Sequence, residues 1–464
     1  MSIVSYMPKR GGININGIIQ DYYAYAGENI SAGDFVEYIN GVASTTTKSG
    51  FSSSIISSED DSYRYSATLL DESRVFVAHN FCANSSNQNY LYAVVCTISN
   101  GSLSKGTTVT LSTTNRSGYM STVSKLQDGR VLIAHTSTTN WDLYGAICSI
   151  NGTSITLDCD IGLGKTINTY AKLRSISWGS NEVLITYDGI KGMVCSVSST
   201  TITQGTEITL VKSANYHQEL ILLPSGYIFM PHSGSSSYAY LYGALLSVSG
   251  TTVSAVRTSA INSSLRGSGI GLGATVLDNT RVFISHSDSD NGTIYGIICT
   301  ISGTTITKGT DTQLATEINS SSGNGTQSVL LGDGRVLVYH SLGDSSCLYG
   351  LGCVVSGTTI TSSATSKLNS TADTGSMLRG FPFQGNGLIF HAYGAADNLL
   401  RASIYNLDSN NVPTRNILVP TFETQVRPTT TSQFDGIAKT GGTGGTNTAH
   451  NQQVSIYTLE GGVA

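Results

Sequence analysis

Arg281-Val-Phe-Ile-Ser-His286, followed by Ile294-Tyr-Gly-Ile-Ile-Cys299 and then Thr304-Thr-Ile-Thr307, is one pass of a pattern that fills most of the chain. The first segment is apolar at consecutive positions and ends in His. It recurs as Arg74-Val-Phe-Val-Ala-His79, Arg130-Val-Leu-Ile-Ala-His135, Glu182-Val-Leu-Ile-Thr-Tyr187, Tyr227-Ile-Phe-Met-Pro-His232, Arg335-Val-Leu-Val-Tyr-His340 and the shorter Gly387-Leu-Ile-Phe-His391. The second recurs as Leu91-Tyr-Ala-Val-Val-Cys96, Leu143-Tyr-Gly-Ala-Ile-Cys148, Gly192-Met-Val-Cys195, Leu241-Tyr-Gly-Ala-Leu-Leu246, Leu348-Tyr-Gly-Leu-Gly-Cys353 and the diverged Leu400-Arg-Ala-Ser-Ile-Tyr405. Anchors at 74, 130, 182, 227, 281 and 335 lie 56, 52, 45, 54 and 54 residues apart. A fixed period of that length signals a repeat architecture and is read before any motif.

Each unit holds four strands: a Gly- and Ser-rich stretch such as Ile270 to Leu277, the two apolar segments, and a polar strand such as Thr304 to Thr307. Asp128-Gly129 and Asp333-Gly334 fall between the first two strands of their units, where a tight turn needs residues that tolerate positive φ. A strand with one wet face alternates, whereas the middle strands here are apolar throughout, as they must be when both faces of a sheet are covered. Seven four-stranded units therefore predict an all-β, seven-bladed β-propeller over residues 49–417. The outer strand, which alternates, is expected to be half exposed. The innermost is expected to carry Gly, Ala and Ser because backbones crowd there.

Composition excludes several classes of function. Charged residues make up 12% of the 464 and the net charge is −5, which leaves no basic stripe for nucleic acid. No stretch is long and apolar enough to insert in a membrane, and no secretory leader is evident. Of eight cysteines, Cys96, Cys148, Cys195, Cys299 and Cys353 share one repeat position that holds Leu246 in another unit, so they read as small buried hydrophobes. The acids that recur before the apolar segment, Asp71, Asp128, Asp278 and Asp333, read as turn formers. No catalytic motif, cofactor or metal site is expected. Six histidines share one position, but equivalent residues on stacked sheets lie roughly 10 Å apart, too far to share an ion. A strand-end His hydrogen-bonded to the neighbouring blade is the expectation, with a pH-sensitive ring as the alternative.

Loops joining the second and third strands gather on one rim and are rich in Ser, Asn, Asp, Gly and Tyr, residue types suited to recognition. Candidate binding residues are Asn84, Asn89, Tyr90, Asn140, Trp141, Tyr238, Tyr240, Asp288, Asn291 and Asp344. Tyrosines of the Leu-Tyr-Gly segments are expected to pack between blades, with stacking on sugars as the alternative.

The two ends, 1–48 and 418–464, lie outside the repeat and read as short strands joined by glycine turns. Neither is long enough to bury a core alone, so they are expected to form one small barrel- or sandwich-like β-domain, split by insertion of the propeller. Here a family likeness enters. Glu28-Asn-Ile-Ser-Ala-Gly-Asp-Phe-Val-Glu-Tyr-Ile39, Asp435-Gly-Ile-Ala-Lys-Thr-Gly-Gly442 and Val454-Ser-Ile-Tyr-Thr-Leu-Glu-Gly461 resemble the small β-domain of tailed-phage virion proteins, particularly capsid decoration proteins. The repeat is similar to ones encoded in phages and prophages of Firmicutes. The resemblance implies a virion component, not an enzyme, anchored through Asp34, Phe35, Val36, Ile437, Ile456 and Tyr457. The major capsid protein would be its partner, self-association would run through the anchor, and the displayed head would bind host-surface or mucus glycans. A tail or baseplate receptor-binding protein and a glycan-processing propeller enzyme are the alternatives.

Overall fold

The computed structural model describes residues 20–26, 35–44, 54–57, 65–83, 88–99, 102–112, 117–137, 140–167, 173–179, 181–188, 191–211, 218–234, 240–262, 271–288, 293–316, 326–341, 348–368, 379–383, 386–392, 400–407, 409–415, 425–428, 436–438 and 453–458. Every regular element among them is a strand. The chain divides into two compact units, 53–416 and the pair of ends 1–52 with 417–464.

The larger unit holds seven antiparallel sheets among the described residues. They are numbered here by their first strands: sheet 1 from Tyr65–Leu69, sheet 2 from Ser117–Lys125, sheet 3 from Arg174–Trp178, sheet 4 from Ile221–Leu222, sheet 5 from Leu272–Val276, sheet 6 from Thr326–Leu330 and sheet 7 from Arg379–Phe383. Within each, strands pair in chain order, as a meander. First strands touch in sequence from sheet 1 through sheet 7, and the first strand of sheet 7 touches that of sheet 1, so the circuit closes.

Seven apolar cores correspond to the seven interfaces of that circuit. Val282 and Ile284 of sheet 5 pack with Phe229 and Leu245 of sheet 4. Phe283, between them, packs the other way, against Val336 and Leu351 of sheet 6. Sheet 1 closes on sheet 7 through Val75, Val77 and Leu388. This is why the middle strands do not alternate: Val131–Ser137 is buried at every position. The polar outer strands do alternate, as Thr201–Gln204 does with only Ile202 inside. In five sheets the outer edge is shared by two short strands, as where Thr305–Lys308 and Thr312–Ala315 both pair with Thr293–Ser302. The repeat cysteines are buried and free, and burial pushes the Cys195 and Cys353 thiols up to about 12.

Gly129 and Gly334 take φ values of +88° and +84° in the turns between first and second strands, the role their Asp-Gly context assigns. The preceding acids do more than turn the chain. Asp278 accepts the backbone N–H of Thr280 and Arg281 and the Arg281 Nε at 2.7 Å, while Arg281 Nη1 donates to Gly357 O of sheet 6 at 2.6 Å. Arg74 reaches Gly152 O of sheet 2 at 2.7 Å, Arg130 reaches Ser199 O of sheet 3, and Arg335 reaches Leu407 O of sheet 7 at 2.6 Å. Three of the four acceptors, Gly152, Ser199 and Gly357, have positive φ in the turn that opens the outer strand. Such a turn points its carbonyl outward. Each Asp–Arg pair is thus a clamp from one sheet to the next.

Sheet 7 is completed by the strand Ser54–Ser57, which pairs with Leu400–Leu407 beside Asn386–Ala392. The start and finish of the larger unit therefore meet in one sheet. In the smaller unit Gln20–Ala26, Gln425–Pro428, Phe35–Ser44, Gly436–Ala438 and Gln453–Thr458 hydrogen-bond into a closed barrel drawn from both chain ends.

Two substitutions separate crowding from clamping. A Cβ at Gly273 would lie 2.4 Å from Gln327 Cα, so Gly273→Ala is expected to cost about 3 kcal/mol in denaturant unfolding. Arg281→Ala, on a partly exposed clamp, is expected to cost only about 1 kcal/mol, and Arg281→Lys to recover little of it.

Candidate functional site

The second strand of most sheets delivers His to the edge where it turns toward the third, and there the His faces a Tyr in register: His79 with Tyr92, His135 with Tyr144, His232 with Tyr242, His286 with Tyr295 and His340 with Tyr349. In all five pairs the rings stack, with centroids 5.5 to 5.9 Å apart. Interplanar angles stay between 14° and 21°. Cross-strand partners share a face, which is what puts one ring over the other.

All five histidines are buried, and the tyrosines are half-buried. Expectation and structure differ at one point here. His135 and His286 bond within their own sheet and not to a neighbouring blade: His135 Nε2 meets Asp160 Oδ1 at 2.9 Å and His286 Nε2 meets Asp311 Oδ1 at 2.9 Å. His232 Nδ1 turns to Met230 O at 3.2 Å, and both ring nitrogens of His79 are without a hydrogen-bond partner among the described residues. Each Leu-Tyr-Gly tyrosine rests on its own sheet's His and keeps part of its surface in solvent. Sheet 3 replaces His with Tyr187, whose hydroxyl donates to Glu207, and Lys165 of sheet 2 and Lys191 lie 3.5 and 3.7 Å from that carboxylate. The Tyr187 hydroxyl and both lysines hold the Glu207 carboxyl below the usual range.

Two expected rim residues extend this aromatic row. Tyr90 stands edge-on to Tyr92 at 6.2 Å, and Tyr240 to Tyr242 at 6.5 Å. Asn140 is exposed, with its N–H 3.3 Å from Ser137 Oγ, and Trp141 holds a φ of +59° while its carbonyl accepts Ile167 N. Asn89 and Asp288 sit in strands opposite Cys82 and Thr293. Asn84, Tyr238, Asn291 and Asp344 lie outside the described residues. The structure distributes the described residues over sheets 1, 2, 4 and 5 instead of gathering them at one point. In the barrel Phe35 pairs with Ile437, Ile437 with Tyr457, Val36 with Gly436 and Ile456 with Ala438; Asp34 lies outside the described residues.

Sequence reasoning missed the acids Asp160, Glu207 and Asp311. Their signal was a carboxylate 25 residues after His135 and His286 and 20 after Tyr187, absent from the other units. It also missed a polar bridge inside the ring. Arg174 of sheet 3 donates to Glu219 Oε1 at 3.0 Å, Gln327 Nε2 of sheet 6 donates to the same oxygen at 3.1 Å, and also to Leu272 O of sheet 5 at 3.0 Å. Sheets that are not neighbours are thereby joined across the interior. Among the described residues no group of three or more His, Cys, Asp or Glu is placed to hold a metal ion.

No protein-family model and no curated protein matches the chain. Solved structures do match it. A 6-phosphogluconolactonase candidate from Bacteroides fragilis superposes with a TM-score of 0.50 at 11% identity, covering 75% of this chain and 95% of its own. A Lactobacillus plantarum protein gives 0.48 at 10%, covering 74% and 98%. The Aleuria aurantia lectin, in complex with alpha-methyl-L-fucoside, gives 0.43 at 13%, covering 78% and 96%. The first of these likenesses, at 11% identity, shows the fold alone: all-β and propeller-like.

Buried neutral histidines set a pH dependence. Burial holds His79 and His232 down to about 4, against about 6.5 in an unfolded chain. Between pH 6.5 and 4 the unfolded chain takes up protons that the folded one refuses, so stability is full above 6.5 and is lost on acidification. Denaturant midpoints followed from pH 7.5 to 4.5 should show a decline approaching about 3 kcal/mol per histidine at the low end. H79F/H232F should flatten it, and a level wild-type profile would contradict the assignment.

Proposed function

We propose that the chain is a structural protein of a tailed-phage particle, held at the head surface by a small β-domain built from its two ends and displaying a seven-bladed propeller that binds glycans weakly. The observation that carries this reading is the barrel closed by Gln20–Ala26 and Phe35–Ser44 with Gln425–Pro428, Gly436–Ala438 and Gln453–Thr458, because the whole ring of sheets is inserted between those strands. An insertion of that kind leaves a host domain's own surface intact and adds a second body to it. The resemblance of residues 28–39, 435–442 and 454–461 to decoration proteins supplies the particle.

Glycan binding is supported by the rim. Half-buried tyrosines recur from sheet to sheet, Tyr90 and Tyr240 continue them outward, and a surface with 12% charged residues does not attract polyanions. Single contacts of this type are weak. Many copies on one particle raise the overall avidity by factors of about 10² to 10⁴.

Incorporation is the test. Tailed-phage particles purified from cells making the full chain should carry it in many copies, and a form lacking 1–48 and 418–464 should stay off them. Particles free of the full-length chain overturn the virion reading, and incorporation of the truncated form overturns the anchor.

A further inference from the structure

Sheets 2 and 5 carry related arrangements, with the difference that in sheet 5 the second oxygen of Asp311 accepts from Asn262 Nδ2 of sheet 4. His135 and His286 are fully buried, and each holds, at 2.9 Å, a carboxylate placed 25 residues further along the chain, Asp160 or Asp311. Asp160 lies opposite Ala146, whose core is shared with sheet 1, and Asp311 lies just before Thr312, the partner of Gly296. Tyr144 and Tyr295 stack on those histidines. The result is a tyrosine and a carboxylate side by side on the face turned toward the preceding sheet, close to the rim.

The imidazoles hold the carboxylates in place. Nε2 of each ring meets a carboxylate oxygen at 2.9 Å, and Nδ1 of both rings is buried with no hydrogen-bond partner among the described residues. Side-chain exposures of 12% for Asp160 and 24% for Asp311 leave both within reach of solvent.

The fold does not require these acids. At the same register sheets 1, 4 and 6 carry Thr108, Thr258 and Thr365, yet His79 and His232 are buried and stacked in the same way. In sheet 3 the acid, Glu207, is neutralised by Lys165 and Lys191. Among the described residues no Lys or Arg forms an ion pair with Asp160 or Asp311.

We propose that sheets 2 and 5 carry two related subsites for neutral sugars, in which Asp160 and Asp311 accept hydrogen bonds from sugar hydroxyls and Tyr144 and Tyr295 supply the aromatic surface. This rests on the glycan-binding reading above and narrows it. Each carboxylate oxygen has two lone pairs, so a hydroxyl can add to the contacts from His135, His286 and Asn262, an aromatic ring takes the C–H face of a pyranose, and an anion repels uronic and sialic acids. The Arg174–Glu219–Gln327 bridge crosses the ring interior, which leaves the rim as the place for a ligand.

The full chain is titrated, by calorimetry and saturation-transfer NMR, with methyl β-D-galactopyranoside, methyl α-D-mannopyranoside and N-acetylglucosamine, and with glucuronate and N-acetylneuraminate. At least one neutral sugar should bind two sites per chain, and neither acid should bind. Asp160→Asn should leave one site, the double variant with Asp311→Asn should weaken binding by at least about tenfold, and Thr258→Asp should add a site beside His232. If the Asn variants do not fold, a folded Thr258→Asp chain that gains no site overturns the site assignment. Undiminished sugar binding by a folded double variant overturns the site assignment and leaves glycan binding standing elsewhere on the rim. Equal binding of acidic sugars overturns the ligand class. No binding of any sugar by the wild-type chain overturns both readings.

Discussion

A sheet that is apolar on both faces cannot stand alone in water, and everything in the larger unit follows from that constraint. Val282, Phe283 and Ile284 point alternately toward sheet 4 and sheet 6, so sheet 5 needs a neighbour on each side. A linear stack of such sheets would leave two apolar faces bare at its ends. Closing the stack into a ring removes both, and the core of Val75, Val77 and Leu388 is that closing contact. Hydrogen bonding completes what burial begins, since Ser54–Ser57 pairs into the sheet that the far end of the unit forms. Clamps such as Arg281 to Gly357 then fix the pitch from one sheet to the next without adding much energy on their own.

What the sequence revealed and what it hid divide along the same line. Burial is a property of residue type, so consecutive apolar segments, the cysteines at positions equivalent to Leu246, and the Asp-Gly turns could all be read directly. Partnership is not. The acceptors of Arg74, Arg130 and Arg281 are backbone carbonyls, and a carbonyl has no sequence identity, so Asp71, Asp128 and Asp278 looked like turn residues and nothing more. Ser54-Ile-Ile-Ser57 has four residues and no repeat context, which made the closing strand invisible until the pairing was seen. The histidine ring was legible as a recurrence. Its partners were not, because Asp160 and Asp311 occur in only two of the units and a recurrence search discards what does not recur.

That last point bears on how function is carried by a repeat. Positions that recur are held by packing: in five sheets the buried His and the Tyr over it persist whether the fourth strand offers Asp or Thr. Function is written in the departures, where one unit carries a group that its neighbours manage without. Sheet 3 illustrates a structural departure, since Tyr187, Glu207 and two lysines satisfy one another. Sheets 2 and 5 illustrate the other kind, with a carboxylate held by a buried imidazole and, among the described residues, paired with no Lys or Arg.

Weak sites are sufficient for a protein of this design. A ring that spends most of its sequence on seven buried interfaces has only rim loops and strand ends left for recognition. A single sugar held by one carboxylate and one tyrosine gains little over water, because the hydroxyls it donates were already hydrogen-bonded there. Affinity must then come from number: subsites repeated within one ring, and rings repeated on one surface. In the proposed role, two weak subsites on one rigid body and a second small body formed by the chain ends would act through the number of copies displayed.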